Sequence, residues 1–287
     1  METAMYHELT EVLMCPLCKS DLGIGEKNSL LCTGCGEEYE IINGIPIMLP
    51  SSAKVTSGEA IQFYNQLYRE DHGHQANISL GRAITLRYLK SLDTADKVIL
   101  DMGGGDGIYA RKLAKTAKKV IVADLTLPRL IRLSQTKTGN IVPVCGDIQT
   151  PFVKEKADII ICIAVLEHLP EPQQVLANFK ELLKEDGKVC LYVPVLNLPF
   201  PALVTRLYRR LRRFDIQQIE KEHIKLWSTK ELMADLETAG FTAENGEFTS
   251  VLTEFRRIPL SVTSFIQYSA FMDKLLAQGI HLTCVHK

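Results

Sequence analysis

The chain has 287 residues, of which 46% are hydrophobic and 23% are charged, the composition of a globular protein with one substantial domain and a small one. Its 33 Lys and Arg residues balance 34 Asp and Glu residues, so no overall positive field attracts nucleic acid. The apolar runs fall short of the ~20 residues that span a bilayer. The N-terminal residues 1–14 are acidic where a secretory signal needs a basic start. The sequence therefore predicts a cytoplasmic protein.

Four of the eight cysteines stand near the N-terminus in two C-x-x-C pairs. Each pair turns two sulfurs to one side of a tight loop, and two such turns complete a tetrahedral zinc site. A redox role needs only one pair and leaves the other unexplained. With all four positions filled by protein, the zinc is expected to be structural. The predicted ligands are Cys15, Cys18, Cys32 and Cys35.

The residues around these cysteines are more specific than the spacing. They read Cys-Pro-Leu-Cys-Lys at 15–19, Leu-Cys-Thr-Gly-Cys-Gly at 31–36 and Gly-Ile-Pro-Ile-Met-Leu-Pro at 44–50. This text resembles a short zinc-ribbon family whose eukaryotic members are activator subunits of tRNA and translation-factor methyltransferases. We therefore expect a zinc-ribbon domain at residues 1–50 that folds around its metal and does not need it for catalysis.

Helical and strand patterns alternate through the rest of the chain. Residues 51–96 are predicted to hold a linker and helices that cover the active site. From residue 97 onward, the alternation predicts an α/β fold with a largely parallel sheet, whose ligands lie beyond the carboxyl ends of the strands. The predicted strands are 97–102, 119–124, 141–145, 158–163 and 188–193, and the predicted helices are 60–70, 79–92, 108–116, 128–135, 173–184 and 229–239.

A glycine-rich loop follows the first of these strands, in the run Asp-Met-Gly-Gly-Gly-Asp-Gly at 101–107. Read as a dinucleotide-binding loop, it places Ile108 where close packing requires a small residue, and no triphosphate-binding motif is present. The loop instead resembles the first motif of class I S-adenosylmethionine-dependent methyltransferases. The resemblance implies that Asp101, Gly103, Gly105 and Gly107 bind the cofactor.

The ends of the next three strands continue this resemblance over residues 60–287. Asp124 stands where two carboxylate oxygens accept the ribose hydroxyls. Asp147 and Ile148 are implied to contact the adenine, and Ala164 to lie against the cofactor. The overall pattern is most similar to the type 11 methyltransferases of ubiquinone and menaquinone biosynthesis. It predicts a Rossmann-like methyltransferase domain at residues 97–287.

The acceptor is predicted less directly. A small-molecule or lipid-like acceptor fits the resemblance best, and no Asn-Pro-Pro-Tyr motif of the kind used for amino methylation follows the fourth strand. The alternatives are an rRNA or tRNA methyltransferase and a catalytically idle protein that only binds the cofactor. His168 and His223 are candidate general bases, and hydrogen bonding to a helix end explains each histidine equally well.

Residues 200–214 combine an apolar stripe at helical spacing with five arginines. This pattern indicates either a lid over the active site or peripheral contact with an anionic membrane. As a lid, the segment is expected to touch the acceptor.

Overall fold

The computed structural model describes residues 2–26, 28–51, 80–136, 138–195, 224–225, 227–250 and 277–287. The predicted helix at 60–70, the basic segment 200–214 and His223 lie outside the described residues. The helices are α1 (Glu2–Val12), α2 (Leu80–Lys90), α3 (Ala110–Leu113), α4 (Leu127–Ser134), α5 (Pro172–Leu182) and α6 (Thr229–Thr238). The strands are β1 (Leu22–Ile24), β2 (Ser29–Cys32), β3 (Glu38–Ile42), β4 (Ile45–Pro46), β5 (Val98–Met102), β6 (Lys119–Asp124), β7 (Ile141–Cys145), β8 (Ala157–Ile163), β9 (Leu183–Pro194), β10 (Phe241–Ser250) and β11 (Ala277–His286).

The larger sheet has seven strands in the order β10-β11-β9-β8-β5-β6-β7. Strands β5 to β9 pair in parallel, and β11 is antiparallel to both of its neighbours. This arrangement confirms the predicted Rossmann-like α/β fold. The strand order reverses between β5 and β8, and ligands of such sheets bind at that switch point.

The central strands are apolar on both faces because helices cover both sides. Every residue of β5 is buried. One face packs against α2, α3 and α4, and the other packs against α1, α5 and α6. Apolar burial on two faces is the pattern expected of a parallel sheet. No helix within the described residues is long and apolar enough to cross a membrane.

The elements differ from the sequence prediction in detail. Strand β9 begins at Leu183 rather than 188, with a register shift against β8. Helix α3 is shorter than predicted and spans only Ala110–Leu113. Strands β10 and β11 and helix α1 were not predicted. The pairing of β10 with β11 joins segments distant in the chain, a non-local contact that periodicity does not reveal.

The N-terminal residues form a four-stranded antiparallel sheet in the order β1-β2-β3-β4, preceded by α1. Their buried side chains belong to the same hydrophobic cluster as the large sheet, since Leu13, Tyr39 and Met48 share it with Val144 and Phe152. The ribbon and the large sheet therefore share a continuous core. The domain boundaries at residues 50 and 96 stay predictions.

Candidate cofactor and active site

The glycine loop after β5 requires glycine at three positions by its backbone geometry. Gly103, Gly105 and Gly107 have φ angles of 80°, 51° and 66°, in the left-handed region that side chains disfavour. A Cβ on Gly103 would come within 2.3 Å of Val165, and one on Gly107 within 2.5 Å of Leu133. The loop thus presents bare backbone to a ligand at the sheet edge.

Asp124, the last residue of β6, holds this loop in place. Its two carboxylate oxygens accept hydrogen bonds from the backbone N–H of Gly105 and of Thr126, each at 2.8 Å. The Gly103 N–H also donates to the carbonyl oxygen of Ala123 at 2.7 Å. The carboxylate predicted to bind ribose is therefore brought directly against the glycine loop predicted to hold the rest of the cofactor.

Asp101 lies beneath the loop with an unsatisfied carboxylate oxygen. The residue is 1% exposed, and its Oδ2 has no hydrogen-bond partner among the described residues. Burial and, secondarily, the neighbouring charge of Asp124 raise the pKa of Asp101 to about 7. A buried carboxyl with a spare acceptor suits a positively charged ligand group. S-adenosylmethionine carries two such groups, an ammonium and a sulfonium, so the residues present fit it.

The segment after β7 carries the two residues predicted to meet the adenine. The Gly146 N–H donates to the carbonyl oxygen of Asp124 at 3.0 Å, which joins this segment to the predicted ribose-binding residue. The Asp147 carboxylate accepts the backbone N–H of Gln149 at 3.0 Å. Both Asp147 and Ile148 are partly exposed and so are accessible to a ligand.

The residues after β8 complete the edge of the sheet. Ala164 is exposed and has a φ of 55°, a conformation that is uncommon outside glycine and is concentrated at functional sites. Val165, the next residue, packs against Gly103. Ala164 therefore lies beside the glycine loop, as its predicted role requires.

Only one of the two predicted histidines falls in the described part of the chain. His168 ends a short 3-10 helix, Leu166–His168, directly after β8. His223 lies outside the described residues. The described residue Ile224 donates its backbone N–H to the carbonyl oxygen of Glu167 at 2.8 Å. The catalytic roles of both histidines stay predictions.

Two residues that the sequence analysis did not single out contribute charge here. Glu167 is 1% exposed, and burial raises its pKa to about 7, with one oxygen 3.9 Å from the His168 ring. Arg129 on α4 lies over Gly105 and pairs with Asp106 at 3.1 Å. The available signals were the Leu-Glu-His run at 166–168 and the position of Arg129 in α4, five residues after Asp124.

The four predicted zinc ligands converge at one point of the ribbon. Their sulfur atoms all lie within 4.8 Å of one another, with Cys15 and Cys35 at 3.7 Å and Cys18 and Cys32 at 3.3 Å. Tetrahedral Zn–S bonds of ~2.3 Å place sulfurs ~3.8 Å apart, so the cluster has the size of a zinc site. The backbone N–H groups of Gly34 and Cys35 donate to the Cys32 sulfur at 3.4 Å.

A family model described as a methyltransferase domain matches residues 73–245. The chain belongs to this methyltransferase family. It is an S-adenosylmethionine-dependent methyltransferase, and the glycine loop with Asp101 and Asp124 lies inside the matched region. The sequence-level resemblance to this class is thereby confirmed, whereas the individual contacts of the site residues stay predictions.

Named relatives of this methyltransferase include two bacterial ubiquinone biosynthesis O-methyltransferases. The protein of Coxiella burnetii strain Dugway 5J108-111 is 30% identical over 164 residues, which cover 54% of this chain and 68% of the relative. The protein of Glaesserella parasuis serovar 5 is 34% identical over 110 residues, covering 35% of this chain and 46% of the relative. The match thus spans less than half of the second relative's length.

The same fold is found in magnesium protoporphyrin IX methyltransferase from Synechocystis PCC 6803 with bound S-adenosylhomocysteine. The TM-score is 0.55 at 14% identity, and the match covers 80% of this methyltransferase and all of that chain. At this level of identity the likeness supports the fold alone.

Asp101 should make cofactor affinity depend on pH. Its pKa of about 7 means that the carboxyl is largely protonated near pH 6, and a cation bound against it must displace that proton. We expect S-adenosylmethionine to bind up to about tenfold more tightly near pH 8 than near pH 6, with proton release on binding. Titration calorimetry in two buffers of different ionisation enthalpy measures both quantities.

The control for this pH dependence is Asp101→Asn, which keeps the shape of the side chain and removes its titration. The amine of S-adenosylmethionine titrates in the same way with both proteins. The difference between their pH profiles of affinity therefore reports the titration of Asp101. An identical pH profile in the two proteins would show that Asp101 does not face a cationic group of the cofactor.

Proposed function

We propose that this methyltransferase transfers the methyl group of S-adenosylmethionine to a hydroxyl of a small-molecule or lipid-like acceptor. The observation that carries the proposal is the convergence of the glycine loop, Asp124 and the segment after β7 at one sheet edge, joined by direct hydrogen bonds. Relatives named as ubiquinone biosynthesis O-methyltransferases support a hydroxyl acceptor of this class.

The chemistry asks little of the protein beyond positioning. Bound S-adenosylmethionine supplies an electrophilic methyl group, and the enzyme must hold an acceptor oxygen in line and exclude water. Ala164 follows the carboxyl end of β8, next to Val165, which packs on the glycine loop, and His168 ends the 3-10 helix that comes after it. We assign the role of general base to His168, because an imidazole can accept the proton that an acceptor hydroxyl releases.

The test is production of S-adenosylhomocysteine with defined acceptors. We would supply catechols with and without a prenyl chain, and total RNA in parallel, to the purified protein with labelled S-adenosylmethionine. Methylation of the catechols supports the proposal. Methylation of RNA alone would replace it with the RNA alternative, and cofactor binding without turnover on any metabolite or lipid extract would favour the idle binding protein.

The basic segment 200–214 leads to a separate prediction, which concerns whether the enzyme binds its acceptor at a membrane surface. If it contacts a membrane, binding to liposomes should rise with the fraction of anionic lipid and fall with salt, because exposed charges are screened within ~8 Å at physiological ionic strength. Replacing Arg209, Arg210 and Arg213 with Glu should lower turnover on a lipid-like acceptor several-fold more than it lowers cofactor affinity. Sedimentation with liposomes measures the binding.

Total RNA is the comparison for the liposome experiment, since RNA binding is also salt-sensitive. Binding to RNA but not to liposomes would contradict membrane contact. Binding to neither would identify the segment as a lid and a soluble compound as the acceptor.

A further inference from the structure

The N-terminal ribbon holds the start of the segment that follows β7. The backbone N–H of Met48 donates to the carbonyl oxygen of Cys145 at 2.7 Å, and Ile47 pairs with Cys145 in a parallel bridge. The Met48 side chain is 1% exposed. The last residue of β7 is therefore fixed from outside the large sheet, by main chain of the ribbon.

The ribbon also holds the other end of the same segment. The backbone N–H of Met14 donates to the carbonyl oxygen of Phe152 at 2.9 Å, and Leu13 pairs with Val153 in an antiparallel bridge. Residues 146–151 include the predicted adenine contacts Asp147 and Ile148. Backbone contacts from the ribbon hold this segment at both ends, and we call these two sets of contacts the bracket. Backbone pairing of this kind fixes position without depending on side-chain identity.

Both ends of the bracket are tied to the cysteine cluster. Met14 directly precedes Cys15, whose sulfur lies 3.1 Å from the Tyr39 hydroxyl. Next to Tyr39, the Glu40 carbonyl oxygen accepts the N–H of Ile47 at 2.8 Å. The cysteine cluster is therefore connected to both donors, to Met14 through the adjacent Cys15 and to Met48 through Tyr39 and the Glu40–Ile47 hydrogen bond.

Inside the bracket the segment has little room to adjust. The Phe152 ring packs on Gly146, where an added Cβ would come within 2.7 Å of it. The side-chain amide of Asn178 on α5 donates to the carbonyl oxygen of Gln149 at 2.9 Å. With its two ends fixed, these contacts set where Asp147 stands. With one end released, the segment must be ordered at the expense of binding energy.

We propose that the metal-loaded ribbon is a positioning element for the cofactor, so that loss of the metal from the four cysteines weakens S-adenosylmethionine binding. The proposal rests on the proposed function through the adenine contacts of Asp147 and Ile148. It gives the ribbon a role beyond its own fold, because the metal orders residues 146–151 through Met14 and Met48.

The first experiment compares metal content with cofactor affinity. The purified wild-type protein should hold one zinc per chain by elemental analysis, and Cys18→Ser should hold none. We expect the dissociation constant for S-adenosylmethionine to rise at least about tenfold in Cys18→Ser, measured by calorimetry on protein with an unchanged circular dichroism spectrum. Cys284→Ala, which alters a buried cysteine of β11, is the control and should keep both zinc and affinity.

Affinity within about twofold of wild type in folded, metal-free Cys18→Ser would overturn the proposal. Failure of zinc-loaded wild type to bind S-adenosylmethionine would instead contradict the proposed function. The two failures are therefore distinguishable in one set of titrations.

Hydrogen exchange on wild-type protein tests the coupling without any substitution. A chelator should raise exchange at the amides of residues 146–151 while the glycine loop at 103–107 stays protected. Loss of protection throughout the sheet would overturn the local coupling by showing that the metal supports the whole fold.

One matched pair of variants separates the hydrogen bond from the metal. Met48→Pro removes the donor to Cys145 and leaves all four cysteines in place, whereas Met48→Leu keeps the donor and a similar volume. We expect only Met48→Pro to bind the cofactor more weakly, whereas both variants should retain zinc. Equal cofactor affinity in Met48→Pro and Met48→Leu would show that the hydrogen bond from Met48 to Cys145 does not position the segment after β7.

Discussion

Gly105→Val should abolish S-adenosylmethionine binding. Gly105 has a φ of 51°, and its Cβ would come within 2.1 Å of the Arg129 guanidinium, which is paired to Asp106. A branched side chain in this conformation is strained, and relief of the strain would pull the Gly105 N–H away from Asp124. We expect a loss of affinity of about 100-fold or more, measured by calorimetry.

Gly139→Val is the control for this substitution. Gly139 has no atom within 4 Å of an added Cβ, so the same change there meets open space. It should leave cofactor affinity unchanged. If the affinity of Gly105→Val for S-adenosylmethionine were close to that of Gly139→Val, the cofactor would not lie against this part of the loop.

Asp124→Ala has the next largest expected effect. The variant removes both the ribose acceptors and the carboxylate that holds the N–H groups of Gly105 and Thr126. Charge-assisted hydrogen bonds of this kind contribute about 1.5–3 kcal/mol, so affinity should fall roughly 10- to 100-fold. The melting temperature should also fall without ligand, because two buried donors lose their partner.

Asp186→Ala, at an exposed position of β9, controls for the loss of one negative charge. It should alter neither affinity nor melting temperature. If Asp124→Ala lowered the melting temperature but bound S-adenosylmethionine as wild type does, the carboxylate would serve the loop alone and the ribose assignment would be withdrawn.

The sequence predicted the central part of the fold well because its signals are local. Strand β6 and strand β7 begin and end where their apolar runs do, and α4, α5 and α6 lie within two residues of the predicted bounds. Buried parallel strands are apolar throughout, and amphipathic helices repeat every three to four residues, so both can be recognised from a short window.

The sequence also predicted two sets of residues that the fold brings together. The glycine spacing at 103–107 and the two C-x-x-C pairs are motifs that only a few backbone geometries use, and the structure brings each set together. Strand order places Asp124 beside the loop, as expected for residues that follow neighbouring parallel strands.

Contacts between distant segments were decided by the tertiary structure alone. Nothing in the local pattern indicates that Met14 and Met48 pair with the two ends of one segment, because a backbone hydrogen bond leaves no mark on side-chain choice. The raised pKa values of Asp101 and Glu167 likewise come from burial by residues far along the chain. Composition and motif spacing thus determined which groups this methyltransferase has, whereas packing decided which of them are desolvated and how the ribbon meets the segment after β7.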